Sequence, residues 1–265
     1  MYGREDLPAA GGPGTNPVRD REIKGRRRQP VVSEECGQLH HDRMSLMAEE
    51  SHWNEIHSTK SPSEVSWFQD PPAESLRLVL THSSPADSVV DVGAGASLLV
   101  DLLLDHGYED VSVVDLSAAA VDTVRQRLAA KGASVETYVA DVTTWTPSRR
   151  FRVWHDRAVF HFLVDAALQS AYVDTVARVL EPGGVVIVGT FGPTGPTSCS
   201  GLPVQRHSIE SLSEAFSPLG TLVESSEETH LTPWGATQDF VWAVFRRHPS
   251  IDSSSTATDS PTVES

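Results

Sequence analysis

The feature that most constrains the fold is an alternation of short apolar runs with segments whose apolar residues recur at helical spacing. Strands joined by helix-length connections form parallel sheets, which need helices on both faces. The last two runs have no helix between them, so we expect them to pair antiparallel. The sequence predicts an α/β fold with a doubly wound, seven-stranded, mostly parallel sheet and an antiparallel edge strand. The predicted strands are Ser88–Val92, Val111–Asp115, Val135–Asp141, Phe151–Asp156, Val185–Thr190, Thr221–Glu224 and Phe240–Arg246.

The composition allows a sizeable core, because 39% of the 265 residues are hydrophobic. Two cysteines exclude a disulfide scaffold and a Cys-rich zinc site. The histidines lack the spacing of zinc ligands, so no metal site is predicted. No apolar run approaches the roughly 18 residues of a membrane span, and the N-terminus has no signal-peptide pattern. We therefore expect a cytoplasmic protein with no membrane partner.

Charge is distributed unevenly along the chain. The formal net charge is −15, and residues 44–248 hold 13 Lys/Arg against 26 Asp/Glu. Such a segment repels a phosphate backbone, so we predict no nucleic-acid partner.

The ends of the chain differ in composition from the middle. Residues 1–43 contain several glycines and prolines without an apolar period, and residues 249–265 are rich in Ser and Thr. Both are predicted to be disordered tails that flank one folded domain, residues 44–248. A further hypothesis is that translation naturally starts at Met44 or Met47.

Polar and glycine residues follow the first three predicted strands at the point where each ends. The first strand runs into Asp91-Val92-Gly93-Ala94-Gly95, the second ends in Asp115, and the third ends in Asp141. The carboxyl ends of parallel strands form the ligand-binding edge of an open sheet. Two glycines let the backbone approach a ligand closely, and a carboxylate such as Asp115 can accept both hydroxyls of a ribose.

The glycine pattern also bears on the kind of nucleotide. A dinucleotide fingerprint needs its third glycine at position 98, which is Leu98 here. This disfavours a diphosphate and favours a ligand that offers a carboxylate, a ribose and an adenine. An NAD(P)-dependent oxidoreductase stays as an alternative of another class.

Taken together, these residues resemble the class I S-adenosylmethionine-dependent methyltransferases over about residues 50–248. Glu181-Pro182-Gly183-Gly184, before the fifth strand, is similar to the family's turn at that point. The resemblance implies a Rossmann-like methyltransferase fold, S-adenosylmethionine as the cofactor, and methyl transfer to an organic acceptor. The residues that it implies as cofactor-binding are Trp67, Asp91, Gly93, Gly95, Asp115, Leu116, Asp141 and Val142.

Within that set, the resemblance implies a role for most residues. Asp91 and the two glycines would hold the methionine end, Asp115 the ribose, and Asp141 with Val142 the adenine.

A more local resemblance concerns the N-terminal part of the domain. His52-Trp53-Asn54-Glu55, followed by Val65-Ser66-Trp67-Phe68, is similar to a branch that includes eukaryotic lysine methyltransferases. An aromatic residue near this point helps to cover the cofactor in that branch, which makes Trp67 a candidate for a lid. The branch carries Asp-Lys-Gly after the fourth strand, where this chain has Asp156-Arg157-Ala158. This departure argues against protein-lysine specificity.

The segment after the fourth strand combines aromatic and titratable residues, as a pocket for an organic acceptor does. His155, Asp156 and His161 are the candidate catalytic residues, with a histidine as general base. Structural roles for both histidines, and an ion pair between Asp156 and Arg157, are the alternatives. A small-molecule acceptor is favoured over a protein lysine. A cofactor-binding subunit without turnover is the non-enzymatic alternative.

Overall fold

We analysed a computed structural model, which describes residues 47, 49–61 and 64–249. Seven strands form one sheet in the order β3-β2-β1-β4-β5-β9-β8, and β6 pairs with β7 in a separate small hairpin. The strands are β1 (Val89–Val92), β2 (Val111–Asp115), β3 (Glu136–Val139), β4 (Phe151–Arg157), β5 (Leu180–Phe191), β6 (Ser198–Cys199), β7 (Leu202–Pro203), β8 (Gly220–Leu231) and β9 (Thr237–Arg247).

Six α-helices accompany the sheet among the described residues. They are α1 (residues 49–59), α2 (Ala73–His82), α3 (Leu99–Asp105), α4 (Ala118–Ala130), α5 (Ala166–Val179) and α6 (Ile209–Phe216). Ser208 caps α6, because its side chain accepts from the backbone N–H of Ser211 while the Ser211 side chain accepts from the backbone N–H of Ser208. Gly107 and Gly132 follow α3 and α4 with φ of +83° and +72°, which ends each helix without a side-chain clash.

Strand directions confirm the predicted α/β class. Strands β1 to β5 are mutually parallel, and β9 runs antiparallel to both β5 and β8. The antiparallel strand β9 therefore lies one position inside the edge, and β8 is the edge strand itself. Strand β8 is far longer than the predicted Thr221–Glu224. The prediction stopped short because the residues after Glu224 are mostly polar and form no apolar run.

The core has two layers, one on each face of the sheet. Helices α5 and α6 pack on one face, against residues such as Trp154 and Val188. Helices α2, α3 and α4 pack on the other face, against residues such as Val153 and Ile187. Strand β1 is buried along its whole length, as expected for a central parallel strand covered on both sides.

Some predictions fall outside the part of the chain that the structure describes. The predicted tail of residues 1–43 and the candidate start at Met44 lie outside it, as does nearly all of the predicted tail of residues 249–265. The other candidate start, Met47, is described, and its side chain is exposed. Within the described ranges, no helix is both long and apolar enough to cross a bilayer. No group of three or more His, Cys, Asp or Glu side chains in those ranges is placed to hold a metal ion.

Candidate functional site

A cavity opens where β1, β2 and β4 end, at their carboxyl ends. This is the position at which open parallel sheets bind ligands. The cavity wall brings together most of the residues that sequence analysis assigned to a cofactor, namely Trp67, Gly93, Gly95, Asp115, Leu116, Asp141 and Val142.

The bend after β1 requires glycine at two positions. Gly93 and Gly95 have φ of +61° and +50°, a region that favours glycine. A Cβ on Gly93 would lie 2.1 Å from Cγ2 of Val159, and a Cβ on Gly95 would lie 3.0 Å from Cε1 of His57. The backbone of the bend thus lies close to the side chains of Val159 and His57 and forms part of the cavity wall.

Asp115 fixes this bend from the end of β2. Its Oδ2 accepts a hydrogen bond from the backbone N–H of Gly95 at 2.9 Å, and its Oδ1 accepts from the N–H of Ser117 at 2.8 Å. Each carboxylate oxygen has a second lone pair, so the group can still accept from ligand hydroxyls. The sequence placed Asp115 at the rim but did not show that the same carboxylate holds the glycine bend.

His57 faces Asp115 from α1. Burial lowers the pKa of His57, and the negative charge of Asp115 partly opposes that effect. Burial raises the pKa of Asp115, while its backbone hydrogen bonds and the attraction of His57 oppose the rise. The two groups therefore titrate as a pair at the cavity wall.

The end of β3 contributes a second acid. Asp141 accepts through Oδ1 from the backbone N–H and the hydroxyl of Thr143, both at 2.8 Å. Val142 beside it is buried. Glu49 of α1 also lines this part of the cavity, and burial together with the charge of Asp141 raises the pKa of Glu49.

Aromatic rings form the opposite wall of the cavity. The ring of Trp53 lies 5.8 Å from that of Trp67 and 5.1 Å from that of Phe162, both edge to face. His57 lies 6.2 Å from Trp67 in a similar arrangement. Trp67 thus belongs to a packed aromatic wall that joins α1 to the segment after β4.

The three predicted acid–base residues do not share this cavity. Asp156 is fully buried, and its carboxylate accepts from the hydroxyl of Tyr172 at 2.5 Å and from the N–H groups of Val159 and Phe160. Burial raises its pKa to about 6. These contacts give Asp156 a structural role in shaping the turn after β4, and none of them involves the predicted partner Arg157.

The two histidines also have structural surroundings. His161 is fully buried, and burial lowers its pKa to about 3, so it is neutral at physiological pH. A general base must reach the proton it removes, and neither Asp156 nor His161 is among the described residues that line the cavity. His155 is buried beside β1, where its Nδ1 donates to Oδ1 of Asp91 at 2.7 Å.

Asp91 and His155 line a second, smaller pocket. This pocket adjoins the large cavity, because Trp67, Gly93 and Arg157 contribute to both walls. The guanidinium of Arg157 donates through Nη1 to the backbone carbonyl of Trp67 at 2.8 Å. Burial lowers the pKa of Arg157 to about 10, so the side chain stays charged at neutral pH.

Parts of this chain are similar in sequence to known proteins. A family model described as a methyltransferase domain matches residues 89–184. The chain is 30% identical over 138 residues to the eEF1A lysine and N-terminal methyltransferase of Danio rerio, covering 50% of this chain and 20% of that protein. It is 28% identical over 118 residues to Nodulation protein S of Rhizobium tropici, covering 44% and 48% respectively.

Residues 89–184 of this chain therefore resemble a methyltransferase domain. The chain spans less than half the length of the curated relatives that it matches.

Solved structures confirm the methyltransferase fold. A protein from a study of thioacetal formation in echinomycin biosynthesis superposes with a TM-score of 0.62 at 21% identity, over 75% of this chain and 93% of that one. The N-methyltransferase NodS from Bradyrhizobium japonicum, in complex with S-adenosylhomocysteine, superposes with a TM-score of 0.58 at 19% identity, over 74% of this chain and 98% of that one. The 1,6-didemethyltoxoflavin-N1-methyltransferase of Burkholderia thailandensis superposes with a TM-score of 0.56 at 17% identity, over 83% of this chain and 93% of that one.

Several residues that line the cavity were missed by sequence analysis. Glu49, Trp53 and His57 all reach the cavity from α1. Their spacing of four residues is a helical signal that places them on one face, so the pattern was present in the sequence. Cys199 of β6 lines the cavity from the other side, and burial raises the pKa of its thiol.

Arg157 was missed for a different reason. Sequence neighbours suggested a pair with Asp156, but adjacent residues of a strand point to opposite faces of the sheet. Asp156 turns toward Tyr172, whereas Arg157 turns toward Trp67 and lies with its guanidinium carbon 4.6 Å from the ring centre of Phe240.

Proposed function

We propose that this chain binds S-adenosylmethionine in the large cavity and transfers its methyl group to an organic acceptor, with a small molecule as the favoured class. The observation that carries this proposal is the convergence of the glycine bend, Asp115 and Asp141 at one rim. When bound, the cofactor supplies a methyl group on a sulfonium, which is electrophilic without further activation.

The described residues fit the nucleoside part of that cofactor. Asp115 faces the cavity with lone pairs to spare for two ribose hydroxyls, and Asp141 with Val142 lies where an adenine is expected. Gly93 and Gly95 leave a cradle that a Cβ would fill. Acidic groups at the rim also suit a cation such as a sulfonium.

Catalysis in this proposal rests on positioning rather than on an acid–base dyad. Correct placement of two reactants contributes about 7–11 kcal/mol to lowering a barrier. The aromatic wall of Trp53, Trp67 and Phe162 excludes water from the region between cofactor and acceptor. In this proposal no proton transfer is assigned to His155, Asp156 or His161, which are buried and have structural roles.

The aromatic lining of the cavity favours a small organic acceptor. Trp53, Phe162 and Cys199 contribute to its wall, and two similar structures are N-methyltransferases, one of them a 1,6-didemethyltoxoflavin-N1-methyltransferase. A protein acceptor is the second candidate, supported by the 30% identity to the eEF1A lysine and N-terminal methyltransferase. Arg157-Ala158, in place of Lys-Gly, counts against the protein acceptor.

One experiment tests the proposal in two steps. Calorimetric titration with S-adenosylhomocysteine should give stoichiometric binding, and titration with NAD⁺ or NADP⁺ should give none. Incubation with cell lysate and methyl-labelled cofactor should then place label in the small-molecule fraction. Label in the protein fraction would favour the second candidate, binding without any transfer would favour the subunit without turnover, and nicotinamide binding would refute the proposal.

A further inference from the structure

We propose that Arg157 selects methyl acceptors that carry an anionic group, and that its free guanidinium edge binds a carboxylate of the acceptor within the large cavity. This inference rests on the proposed function, because it concerns which acceptor reaches the methyl group. It gives a specificity role to Arg157, for which sequence analysis considered only an ion pair with Asp156.

Arg157 lies on the side of the cavity opposite the acids assigned to the nucleoside. Asp115 ends β2 and Asp141 follows β3, whereas Arg157 ends β4, and β1 lies between β2 and β4 in the sheet. Neighbouring strands lie about 4.8 Å apart, so the ends of β2 and β4 are roughly 10 Å apart. Phe162 and Cys199 line the cavity together with Arg157. A second ligand can therefore bind at the β4 end while the nucleoside occupies the β2 end.

The guanidinium of Arg157 has one side held by the protein and one edge free. Its Nη1 donates to the backbone carbonyl of Trp67 at 2.8 Å, and its carbon lies 4.6 Å from the ring centre of Phe240. Its Nε and Nη2 are buried and have no hydrogen-bond partner among the described residues. These two nitrogens share one edge of the planar group, and such an edge binds a carboxylate through two parallel hydrogen bonds. The contacts with Trp67 and Phe240 thus orient the fork before a ligand binds.

No neighbouring acid neutralises the charge of Arg157. Burial lowers its pKa to about 10, so the side chain is charged at neutral pH. The charge of Glu228 acts on Arg157, but its two carboxylate oxygens accept from Nε2 of Gln69 at 2.6 Å and from Nε1 of Trp242 at 2.9 Å. No ion pair within the described ranges includes Arg157. Buried charged donors without a partner are costly, and an anionic acceptor supplies the counterion that a neutral one lacks.

The fork also indicates that the carboxylate is not the group that becomes methylated. A carboxylate that accepts from Nε and Nη2 has its charge paired and its oxygens in hydrogen bonds, which makes it a weaker nucleophile. The methyl group therefore goes to another atom of the acceptor. The lone pair of that atom forms the bond to the methyl carbon, and the electron pair of the broken C–S bond stays on sulfur. The product keeps its negative charge.

Benzoate and benzamide test the preference for an anion, because they match in shape and differ in charge. With S-adenosylhomocysteine at saturation, wild-type protein should bind benzoate about tenfold or more tightly than benzamide in a calorimetric titration. Arg157→Gln should remove that preference and leave the affinity for S-adenosylhomocysteine within about twofold. Arg150 is exposed, so the control Arg150→Gln should keep the wild-type preference.

The charge of the methylated product provides a second measurement. After incubation with cell lysate and methyl-labelled cofactor, the labelled small molecules should be retained on an anion-exchange resin at pH 7. Arg157→Gln should lower that retained label about tenfold or more. Arg157→Lys, which keeps the charge but loses the fork, should give intermediate values in both measurements and replaces Arg157→Gln if that variant does not fold.

Three results would overturn the anion site and leave the nucleoside site intact. Wild-type protein may fail to prefer benzoate over benzamide, or the labelled small molecules may pass through the resin. In the third result, Arg157→Gln weakens S-adenosylhomocysteine about tenfold, which would assign the fork to the cofactor instead of the acceptor. Wild-type protein that does not bind S-adenosylhomocysteine refutes the proposed function itself.

Discussion

At the residue scale, the site depends on two glycines with a positive φ, Gly93 and Gly95, a backbone conformation that disfavours a side chain. At Gly93 the space is also closed, because a Cβ would lie 2.1 Å from Cγ2 of Val159, whereas a Cβ on Gly95 would lie 3.0 Å from the ring of His57. Gly132, which ends α4, has a similar φ of +72° but open space around it. The contrast separates the backbone requirement from the steric one.

Gly93→Ala should lose more folding stability than Gly132→Ala, because a Cβ at Gly93 adds a clash with Val159 to the same backbone strain. We expect Gly132→Ala to lower the free energy of unfolding by about 1 kcal/mol, and Gly93→Ala to lower it by about 2–3 kcal/mol and to abolish nucleoside binding. Urea unfolding and calorimetry measure the two effects. Equal losses for the two variants would contradict the steric role of Gly93.

Asp115→Asn should weaken S-adenosylhomocysteine at least tenfold, because the amide replaces one acceptor oxygen by a donor. Asp122, exposed on α4 and paired only at the surface with Arg125, supplies the matched control Asp122→Asn, which should leave affinity unchanged. Calorimetry provides the measurement. Unchanged affinity for Asp115→Asn would remove the ribose assignment.

At the element scale, α1 covers the nucleoside cavity and is tied to α4. The side-chain Oδ1 of Asn54 accepts from the hydroxyl of Ser117 at 2.9 Å and from the N–H of Ala119 at 3.2 Å. These bonds reach the first turn of α4, where backbone N–H groups lack helical partners. The side-chain amide of Asn54 thus connects α1 to the start of α4.

Asn54→Ala should loosen α1 without touching the ligand site. We expect a loss of about 1 kcal/mol in the free energy of unfolding, faster amide exchange in residues 49–59, and a several-fold weaker affinity for S-adenosylhomocysteine. Glu55→Ala, at an exposed neighbouring position, should change none of these. Hydrogen exchange that is unchanged in α1 would show that Asn54 does not anchor the helix.

At the whole-molecule scale, stability should depend on the buried neutral His161. Its pKa is lowered to about 3 in the fold and is near 6.5 in an unfolded chain. The unfolded state therefore binds a proton between these values that the folded state does not, so stability is present above pH 6.5 and is lost as the pH falls.

The loss of stability that His161 causes at low pH can be isolated with the variant His161→Asn, because an asparagine side chain does not titrate. Relative to that variant, wild-type protein should lose about 2 kcal/mol of unfolding free energy between pH 7 and pH 5. Denaturant unfolding of both proteins at the two pH values measures the difference. A difference that does not change with pH would mean that His161 is charged or exposed in the fold.

The fold and the nucleoside rim were largely predictable, because each depends on patterns within a short stretch of chain. Apolar runs and helical spacing predicted the seven-stranded sheet, and the glycine bend and the acids at strand ends predicted which residues gather at its edge. The length of β8 was not predictable, since a strand with one polar face against solvent carries only a weak apolar signal.

What the sequence by itself determined is therefore the layout of the sheet and the residues that follow its strands. Only the tertiary structure decided which side chains meet. Asp91 pairs with His155, 64 residues away, and Arg157 donates to Trp67, 90 residues away. Local spacing holds no information about such contacts, because they arise when neighbouring strands align in register and a distant segment packs over them. That packing buried the candidate bases Asp156 and His161 away from the cavity and placed Arg157 in its wall.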